Sequence, residues 1–203
     1  MTILETLGAD RVVALVRASE IPDAAELSAA LARGGIRVME LTFTTPSVER
    51  HIAAVSDAGG IVGAGTVLTA AQAASAIEAG AQFLVTPGIV PAVAEVAADA
   101  GVPLLMGALT PSEVLRALEL GAAAVKIFPA QTVGPAYFRH LSGPLPGVPL
   151  VASGGIDSDN ARVYLDSGAY AVTAGSGVVR ATDLAASDWP AVERLAREFT
   201  ASL

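Results

Sequence analysis

Two charged side chains interrupt apolar stretches of the sequence, and together they could carry out imine chemistry. Lys126, the only lysine of the chain, lies within AAAVKIF, and Glu40 lies within IRVMELTF. A lysine withdrawn from water loses the solvation that favours its ammonium form, and a neutral amine can attack a ketone to form a Schiff base. A nearby carboxylate can move the protons that this reaction needs. We therefore interpret Lys126 as a nucleophile and Glu40 as a proton-transfer residue.

Both residues also have a purely structural explanation. Lys126 could pair with a carboxylate or extend into solvent from a strand end, and Glu40 could form a buried ion pair with Lys126 or Arg17. Every other Lys or Arg position holds arginine. Arginine forms salt bridges at least as well as lysine but cannot form an imine. The single lysine therefore favours the catalytic interpretation.

Two polar residues close other apolar runs and could bind a substrate carboxylate. Arg17 follows VVALV, and Thr66 follows GIVGAG. The guanidinium would contribute charge and paired N–H donors, and the hydroxyl would contribute one further donor. A salt bridge from Arg17 to Glu40 is the structural alternative.

Two glycine-rich segments near the carboxyl terminus could hold a phosphate group. They are SGGIDSDN at 153–160 and AGSGVV at 174–179. Backbone N–H groups in such segments can bind an anion without a basic side chain. The alternative is that both are ordinary turns, with Asp157 or Ser158 capping the following helix.

The elements that must position these residues alternate between two types. Stretches with helical spacing at 23–35, 70–80, 91–101 and 111–121 separate short, nearly continuous apolar runs. Such runs are typical of parallel strands that are covered on both faces. We count eight runs, at 12–16, 36–43, 60–65, 81–85, 102–106, 122–128, 148–153 and 169–175.

This alternation predicts an α/β protein with a single (β/α)8 (TIM) barrel domain over residues 1–203. A doubly wound open sheet would place a glycine-rich turn after the first strand, and VVALVRASE contains no glycine. Catalytic groups of such barrels lie at the carboxyl ends of the strands. The second and sixth strands lie opposite each other, so Glu40 and Lys126 are expected to meet across the barrel mouth.

Composition excludes several classes of function. The 203 residues carry a formal net charge of −8, which argues against general binding to nucleic acid or to an anionic membrane. The sequence has no cysteine, which excludes disulfides, thiolate metal sites and a cysteine nucleophile. His51 and His140 stand alone, so we expect no metal site. Charges within the first twenty residues interrupt any secretory segment, and we expect a soluble, cytoplasmic protein.

Over nearly its whole length the sequence resembles the class I aldolases of 2-dehydro-3-deoxy-6-phosphogluconate (KDPG), which also act on 4-hydroxy-2-oxoglutarate (KHG). The segments VVALVR, GGIRVMELTFTTP, VGAGTVLT, FLVTPG, AAAVKIFPA, SGGI and AGSGVV carry the resemblance in order and spacing. It implies a homotrimer without a metal or cofactor, which takes a phosphorylated keto acid and releases pyruvate. It implies Lys126 as the Schiff-base lysine and Glu40 as the proton-transfer residue. We assign substrate binding to Arg17, Thr66, Pro87, Phe128 and Ser153, and phosphate binding to Gly154, Gly155, Gly175 and Ser176.

One motif departs from the family pattern. Many members carry arginine at the position of Thr44, in a motif like E-V-T-L-R-T-P, whereas this chain reads ELTFTTP. Arg17 looks like the replacement, as in relatives that act on the galactonate epimer. An aldolase for that epimer or another 2-keto-3-deoxy acid therefore stays open. So do an isomerase or synthase on another phosphorylated metabolite and a catalytically idle trimeric barrel used for assembly.

Overall fold

Eight parallel strands, paired in sequence order, close into a barrel. The computed structural model describes residues 2–203, and helices lie between successive strands. The predicted (β/α)8 barrel is therefore confirmed. The strands are β1 Val12–Val16, β2 Val38–Thr42, β3 Ile61–Gly65, β4 Leu84–Val85, β5 Leu104–Ala108, β6 Ala124–Ile127, β7 Leu150–Ala152 and β8 Ala171–Ala174.

The helices form the outer layer. Those predicted from spacing correspond to α2, α4, α5 and α6, and the structure adds several that the sequence reasoning did not identify. Their bounds are α1 Ile3–Asp10, α2 Ala24–Arg33, α3 Val48–Asp57, α4 Ala70–Glu78, α5 Pro91–Ala100, α6 Pro111–Glu119, α7 Ala130–Val133, α8 Ala136–Ser142, α9 Ala161–Asp166, α10 Ala181–Ala185 and α11 Trp189–Thr200. Among the described residues, no helix has the length and apolar character needed to cross a membrane.

Two apolar clusters share the core. The larger cluster lies between the barrel and its helices. The smaller one fills the barrel interior, and α1 closes it at the amino end with Ile3 and Leu7. Phe83 is its largest fully buried member, and a Cβ at Gly63 of β3 would collide with the Phe83 ring. Glycine at that position therefore makes room for the aromatic ring that fills the barrel.

Side-chain alternation along the strands determines which residues reach the mouth. Val38, Ala124, Val151 and Ala171 belong to the interior cluster, on β2, β6, β7 and β8. Residues two positions further along a strand point to the same side. The next interior positions are therefore Glu40, Lys126, Ser153 and Thr173, all of them buried and polar.

Candidate active site

Lys126 and Glu40 meet inside the barrel, as the strand count predicted. The Lys126 Nζ atom donates a hydrogen bond to Glu40 Oε1 at 3.2 Å. Their side chains are 7% and 2% exposed. Because β2 and β6 lie opposite each other in the strand order, this pair spans the barrel. The contact places an amine beside a proton acceptor away from water, the arrangement that imine chemistry requires, and it is equally the buried ion pair of the structural alternative.

Gly65, at the end of β3, makes room for the Glu40 carboxylate. A Cβ at Gly65 would collide with Glu40 Oε1. The register pairs Glu40 with Gly63 and Thr42 with Gly65 on the neighbouring strand. Sequence reasoning did not single out Gly65, although the segment GAGT that contains it is part of the family resemblance.

Phe128 lies between Lys126 and the glycine-rich segment after β7. Lys126 Nζ lies 5.9 Å from the centre of the Phe128 ring, within the range of a cation–π contact. The Phe128 side chain is 39% exposed. A Cβ at Gly154 would approach that ring to 3.2 Å. The ring therefore forms a wall between the lysine and Gly154.

Arg17 and Thr66 stand at the ends of β1 and β3. Arg17 is exposed and forms no salt bridge with any of residues 2–203. The alternative of a salt bridge from Arg17 to Glu40 is wrong, because the Glu40 carboxylate pairs with Lys126. Thr66 has a φ of 55°. A β-branched residue in that region is strained, and such strain clusters at functional sites.

The segment after β2 is fixed by threonine side chains. Thr42 Oγ1 donates to the Val16 carbonyl at 3.3 Å and lies 2.8 Å from Thr44 Oγ1. Thr45 Oγ1 accepts the Ala18 N–H at 3.3 Å. These bonds join the ends of β1 and β2. Thr44, at which the sequence departs from the family pattern, is therefore part of a hydroxyl pair.

Pro87 follows β4 in a segment that contacts Gly107 of β5. Thr86 Oγ1 accepts the Gly107 N–H at 3.2 Å and donates to the Gly88 carbonyl at 2.7 Å. A Cβ at Gly107 would collide with the Pro87 carbonyl carbon. The absence of a side chain at Gly107 therefore allows Pro87 to approach the mouth.

Gly155 and Ser176 line one groove of about 560 Å³, together with Gln131, Asp157 and other residues. Gly154 and Gly155 have φ values of 95° and 74°, a conformation that favours glycine. At Gly175 an added Cβ would meet nothing within 4 Å. The groove thus brings together the two glycine-rich segments that sequence analysis proposed for phosphate.

The helix after the first of these segments, α9, follows a turn that the Asp157 side chain caps. Its N-cap is Asn160, and the Asn160 side chain makes no cap hydrogen bond to the helix. Asp157 Oδ1 instead accepts the N–H groups of Asp159 and Asn160, at 3.0 and 3.1 Å. The Asp157 carbonyl also accepts the Ala161 N–H at 2.9 Å, so Asp157 makes the bonds expected of a cap in the turn that leads into α9.

Ser153 lies directly after β7, and its hydroxyl is paired with Thr173 of β8. Thr173 Oγ1 donates to Ser153 Oγ at 3.1 Å, in a buried position. Sequence reasoning did not identify Thr173. Threonine is a common strand residue, so its presence within AYAVTAG does not mark it as part of a site.

No group of three His, Cys, Asp or Glu residues suited to a metal ion occurs within residues 2–203. His51 lies in α3 and His140 in α8. Burial, and then the neighbouring Arg50 charge, lower the pKa of His51 from its usual value. His51 lines a groove of about 490 Å³ beside α2 and α3, and Lys126 is not among the residues that line it.

Comparisons with known proteins decide the family. Residues 3–195 match the family of KDPG and KHG aldolases. The chain belongs to this family. It is 40% identical to the 2-dehydro-3-deoxy-phosphogluconate aldolase of Treponema pallidum, over 98% of this chain and 96% of that protein.

Two solved aldolase structures have the same fold. A 4-hydroxy-2-oxoglutarate/2-dehydro-3-deoxyphosphogluconate aldolase from TTHB1 is 35% identical, with a TM-score of 0.88 over 100% of this chain and 99% of that one. The KDPG aldolase of Legionella pneumophila is 29% identical, with a TM-score of 0.89 over 97% of each chain. In that enzyme pyruvate was captured as a covalent carbinolamine intermediate. A carbinolamine is what an amine forms on a ketone before water leaves.

Proposed function

We propose that this aldolase cleaves KDPG to pyruvate and glyceraldehyde 3-phosphate through a Schiff base on Lys126. KHG, which would give pyruvate and glyoxylate, is the proposed second substrate. The observation that carries the proposal is the buried contact of Lys126 Nζ with Glu40 Oε1 at 3.2 Å. An amine withdrawn from water beside a carboxylate is suited to imine formation.

The proposed reaction begins with attack of the Lys126 amine on the C2 ketone. The carbinolamine loses water, and the protonated imine becomes an electron sink. Glu40 then takes the proton of the C4 hydroxyl, and the C3–C4 electron pair moves toward the iminium nitrogen as the aldehyde leaves. Protonation of the enamine at C3 and hydrolysis release pyruvate and restore the amine. All the electrons stay within substrate and imine, so the proposal includes no cofactor or metal.

The proposed substrate contacts divide between two ends of the mouth. Arg17, exposed and free of other ion pairs among residues 2–203, would bind the substrate carboxylate through paired N–H donors. Thr66 and Phe128 would enclose the pyruvate portion, with Pro87 and Ser153 beside them. The phosphate would bind in the groove that Gly155 and Ser176 line, with Gly154 and Gly175, which directly precede them in the two glycine-rich segments, as the other proposed phosphate-binding residues.

A different aldolase substrate has one observation in its favour. Thr44 is bonded to Thr42 at 2.8 Å and cannot supply the cation that many relatives have at that position. Arg17 approaches the mouth from β1 instead of β2. A carboxylate held from a different strand would rotate the keto acid relative to Glu40. The galactonate epimer, with the opposite configuration at C4, is therefore the alternative substrate.

An isomerase or synthase and an idle assembly unit are less well supported. A synthase or isomerase would need Lys126 only as a charge, and an assembly unit would need neither Lys126 nor Glu40 in the mouth. We propose a homotrimer located in the cytoplasm, acting in Entner–Doudoroff breakdown of sugar acids. The trimer and the pathway are supported by the family resemblance, and light scattering on the purified protein tests the trimer.

Trapping with pyruvate and borohydride tests the proposed chemistry. Borohydride reduces an imine to a stable amine, and peptide mass spectrometry then locates the adduct. We expect one adduct on Lys126 and none in Lys126→Arg, which keeps the positive charge but cannot form the imine. Because Lys126 is the only lysine, the N-terminal amine is the one competing site. A protein labelled only there, or not at all, would overturn the Schiff-base proposal.

A further inference from the structure

The hydroxyl groups of Thr173 and Ser153 form a buried pair next to the strand that carries Lys126. Thr173 Oγ1 donates to Ser153 Oγ at 3.1 Å. Thr173 is 5% exposed and Ser153 is 1% exposed. The two residues occupy corresponding interior positions at the ends of β8 and β7, one step beyond the register pair Ala152 and Val172.

This bond determines the direction in which the Ser153 proton can point. A serine hydroxyl has one proton to donate and two lone pairs that accept. Thr173 donates to one lone pair, and no hydrogen bond donated by the Ser153 hydroxyl occurs among residues 2–203. A buried donor without a partner costs free energy. The Ser153 proton is therefore available to an oxygen atom of a molecule bound in the mouth.

The position of Ser153 identifies which oxygen this is. Lys126 is paired in register with Val151 of β7, so Ser153 lies two residues nearer the carboxyl end of the barrel. Its own N–H bonds to the Ile127 carbonyl at 3.1 Å. Ser153 is followed directly by Gly154 and Gly155, at the proposed phosphate groove. Substrate atoms that pass Ser153 lie between C2 and the phosphate, and the first oxygen among them is on C4.

We propose that Thr173 is a positioning residue that holds the Ser153 hydroxyl as a hydrogen-bond donor to the C4 oxygen. The inference rests on the proposed aldol cleavage. As the C3–C4 bond breaks, the C4 hydroxyl proton goes to Glu40 and the electron pair goes to the iminium. Ser153 keeps its own proton. Its hydrogen bond stabilises the negative charge that develops on the oxygen of the departing aldehyde.

Two reactions of the same enzyme separate this role from a structural one. Cleavage of KDPG needs the C4 oxygen, whereas exchange of the pyruvate methyl protons with deuterium needs Lys126, the enamine and a base that removes the methyl proton, but no C4 oxygen. We compare Thr173→Val, which removes the hydroxyl and keeps the branched shape, with the matched variant Thr173→Ser, which keeps the hydroxyl. Cleavage is followed by release of pyruvate, and exchange is followed by proton NMR in deuterium oxide.

We expect Thr173→Val to lower kcat for cleavage about 3- to 10-fold, the typical effect of one hydrogen bond. The rate of methyl exchange in Thr173→Val should stay within about 2-fold of that in the unaltered protein. Thr173→Ser should match the unaltered protein in both reactions. In a Ser153→Ala background, Thr173→Val should have no additional effect, because the two residues act as a unit.

Several results would overturn the inference. If cleavage and exchange fall together, Thr173 supports the whole site rather than one hydroxyl. Three other results would each be incompatible with positioning. The first is an unchanged cleavage rate in Thr173→Val, and the second is a loss in Thr173→Ser equal to that in Thr173→Val. The third is an additive effect of Thr173→Val and Ser153→Ala on cleavage. Failure of the aldolase proposal itself has a separate signature, namely the absence of a Lys126 adduct in the unaltered protein.

Discussion

The Glu40 carboxylate can reach Lys126 only because the neighbouring strand has no side chain at Gly65. A Cβ there would collide with the end of the Glu40 side chain. That end is flexible, so the barrel can accept a methyl group if the carboxylate moves away. The lysine would then lose its 3.2 Å partner while the backbone keeps its path. If Glu40 has the role proposed for it, Gly65 affects catalysis without touching substrate.

We predict that Gly65→Ala lowers kcat for aldol cleavage at least about 10-fold. General acid–base catalysis contributes roughly 10²- to 10⁴-fold, and the expected loss is at the lower end or below because Glu40 would be displaced rather than removed. Steady-state kinetics, with circular dichroism as a check on folding, measure this. Gly143→Ala is the control, because a Cβ there has only the His140 carbonyl within 4 Å, at 3.5 Å. Unchanged kcat in a folded Gly65→Ala protein would contradict the role assigned to Gly65.

The sequence predicts individual site residues when their type conflicts with their surroundings. Lys126 and Glu40 are recognisable because charges rarely interrupt strands buried on both faces. Gly65 and Thr173 are not, since their importance depends on which side chain of the adjacent strand faces them. That depends on strand register and tilt, which a single sequence does not specify. The Ser153 to Thr173 bond is therefore visible only in the folded barrel.

At the scale of elements, the turn after β5 is held by a capping box at the start of α6. Glu113 Oε2 accepts the N–H groups of Leu109 and Thr110 at 2.8 and 2.7 Å, and Thr110 Oγ1 caps the Glu113 N–H in return. The Leu109 N–H, then the Thr110 N–H and hydroxyl, lower the pKa of Glu113 from its usual value. The carboxylate form therefore stabilises the helix start.

The direction of the resulting pH dependence follows from this shift. The pKa of Glu113 is lower in the folded state than in the unfolded state, so its stabilisation is complete above the ordinary value of 4.5 and lost as pH falls below it. We predict that acidification from pH 6 to about pH 3 costs the unaltered protein more unfolding free energy than it costs Glu113→Gln. Urea titrations at each pH measure the difference.

Glu119→Gln serves as the control for this effect. Glu119 lies at the end of the same helix, is exposed, and pairs only with Arg116 at 3.0 Å. Exposed pairs of this kind contribute little to stability. The unfolding free energy of Glu119→Gln should therefore fall with acidification as much as that of the unaltered protein. If Glu113→Gln is as sensitive to acid as the unaltered protein, the capping box is not a source of the pH dependence.

Elements with strong periodicity were predictable, and short or irregular ones were not. The spacing at 91–101 and 111–121 predicts α5 and α6 to within a few residues. β4 has only two residues, because Thr86 bonds to the Gly107 N–H and the Gly88 carbonyl and directs the chain out of the strand. α1 was missed because its apolar residues, Ile3 and Leu7, cover the barrel end rather than form a strand-like run.

At the scale of the whole molecule, the barrel is joined where the chain's two ends meet. β8 pairs with β1, and α11 returns to lie against α2. Thr200 Oγ1 donates to the Gly34 carbonyl at 3.0 Å, and Arg33 bridges to Glu193 at 2.8 Å. A Cβ at Gly34 would collide with the Ala196 side chain. Close packing of the last helix on the first βα unit thus completes the outer layer.

This closure makes residues 1–203 a single cooperative unit in our proposal, and Phe199 of α11 tests it. Phe199 is 3% exposed within the core between helices and barrel. We predict that Phe199→Ala lowers the unfolding free energy by about 3–5 kcal/mol, the usual cost of deleting a buried aromatic ring. The adjacent Glu198→Ala, which removes an exposed pair with Arg194, should cost under about 1 kcal/mol.

Urea unfolding followed by circular dichroism and by pyruvate trapping on Lys126 should give coincident transitions in every variant. Loss of secondary structure in two steps, with Lys126 still reactive after the first, would show that the terminal helix and the catalytic barrel fold separately.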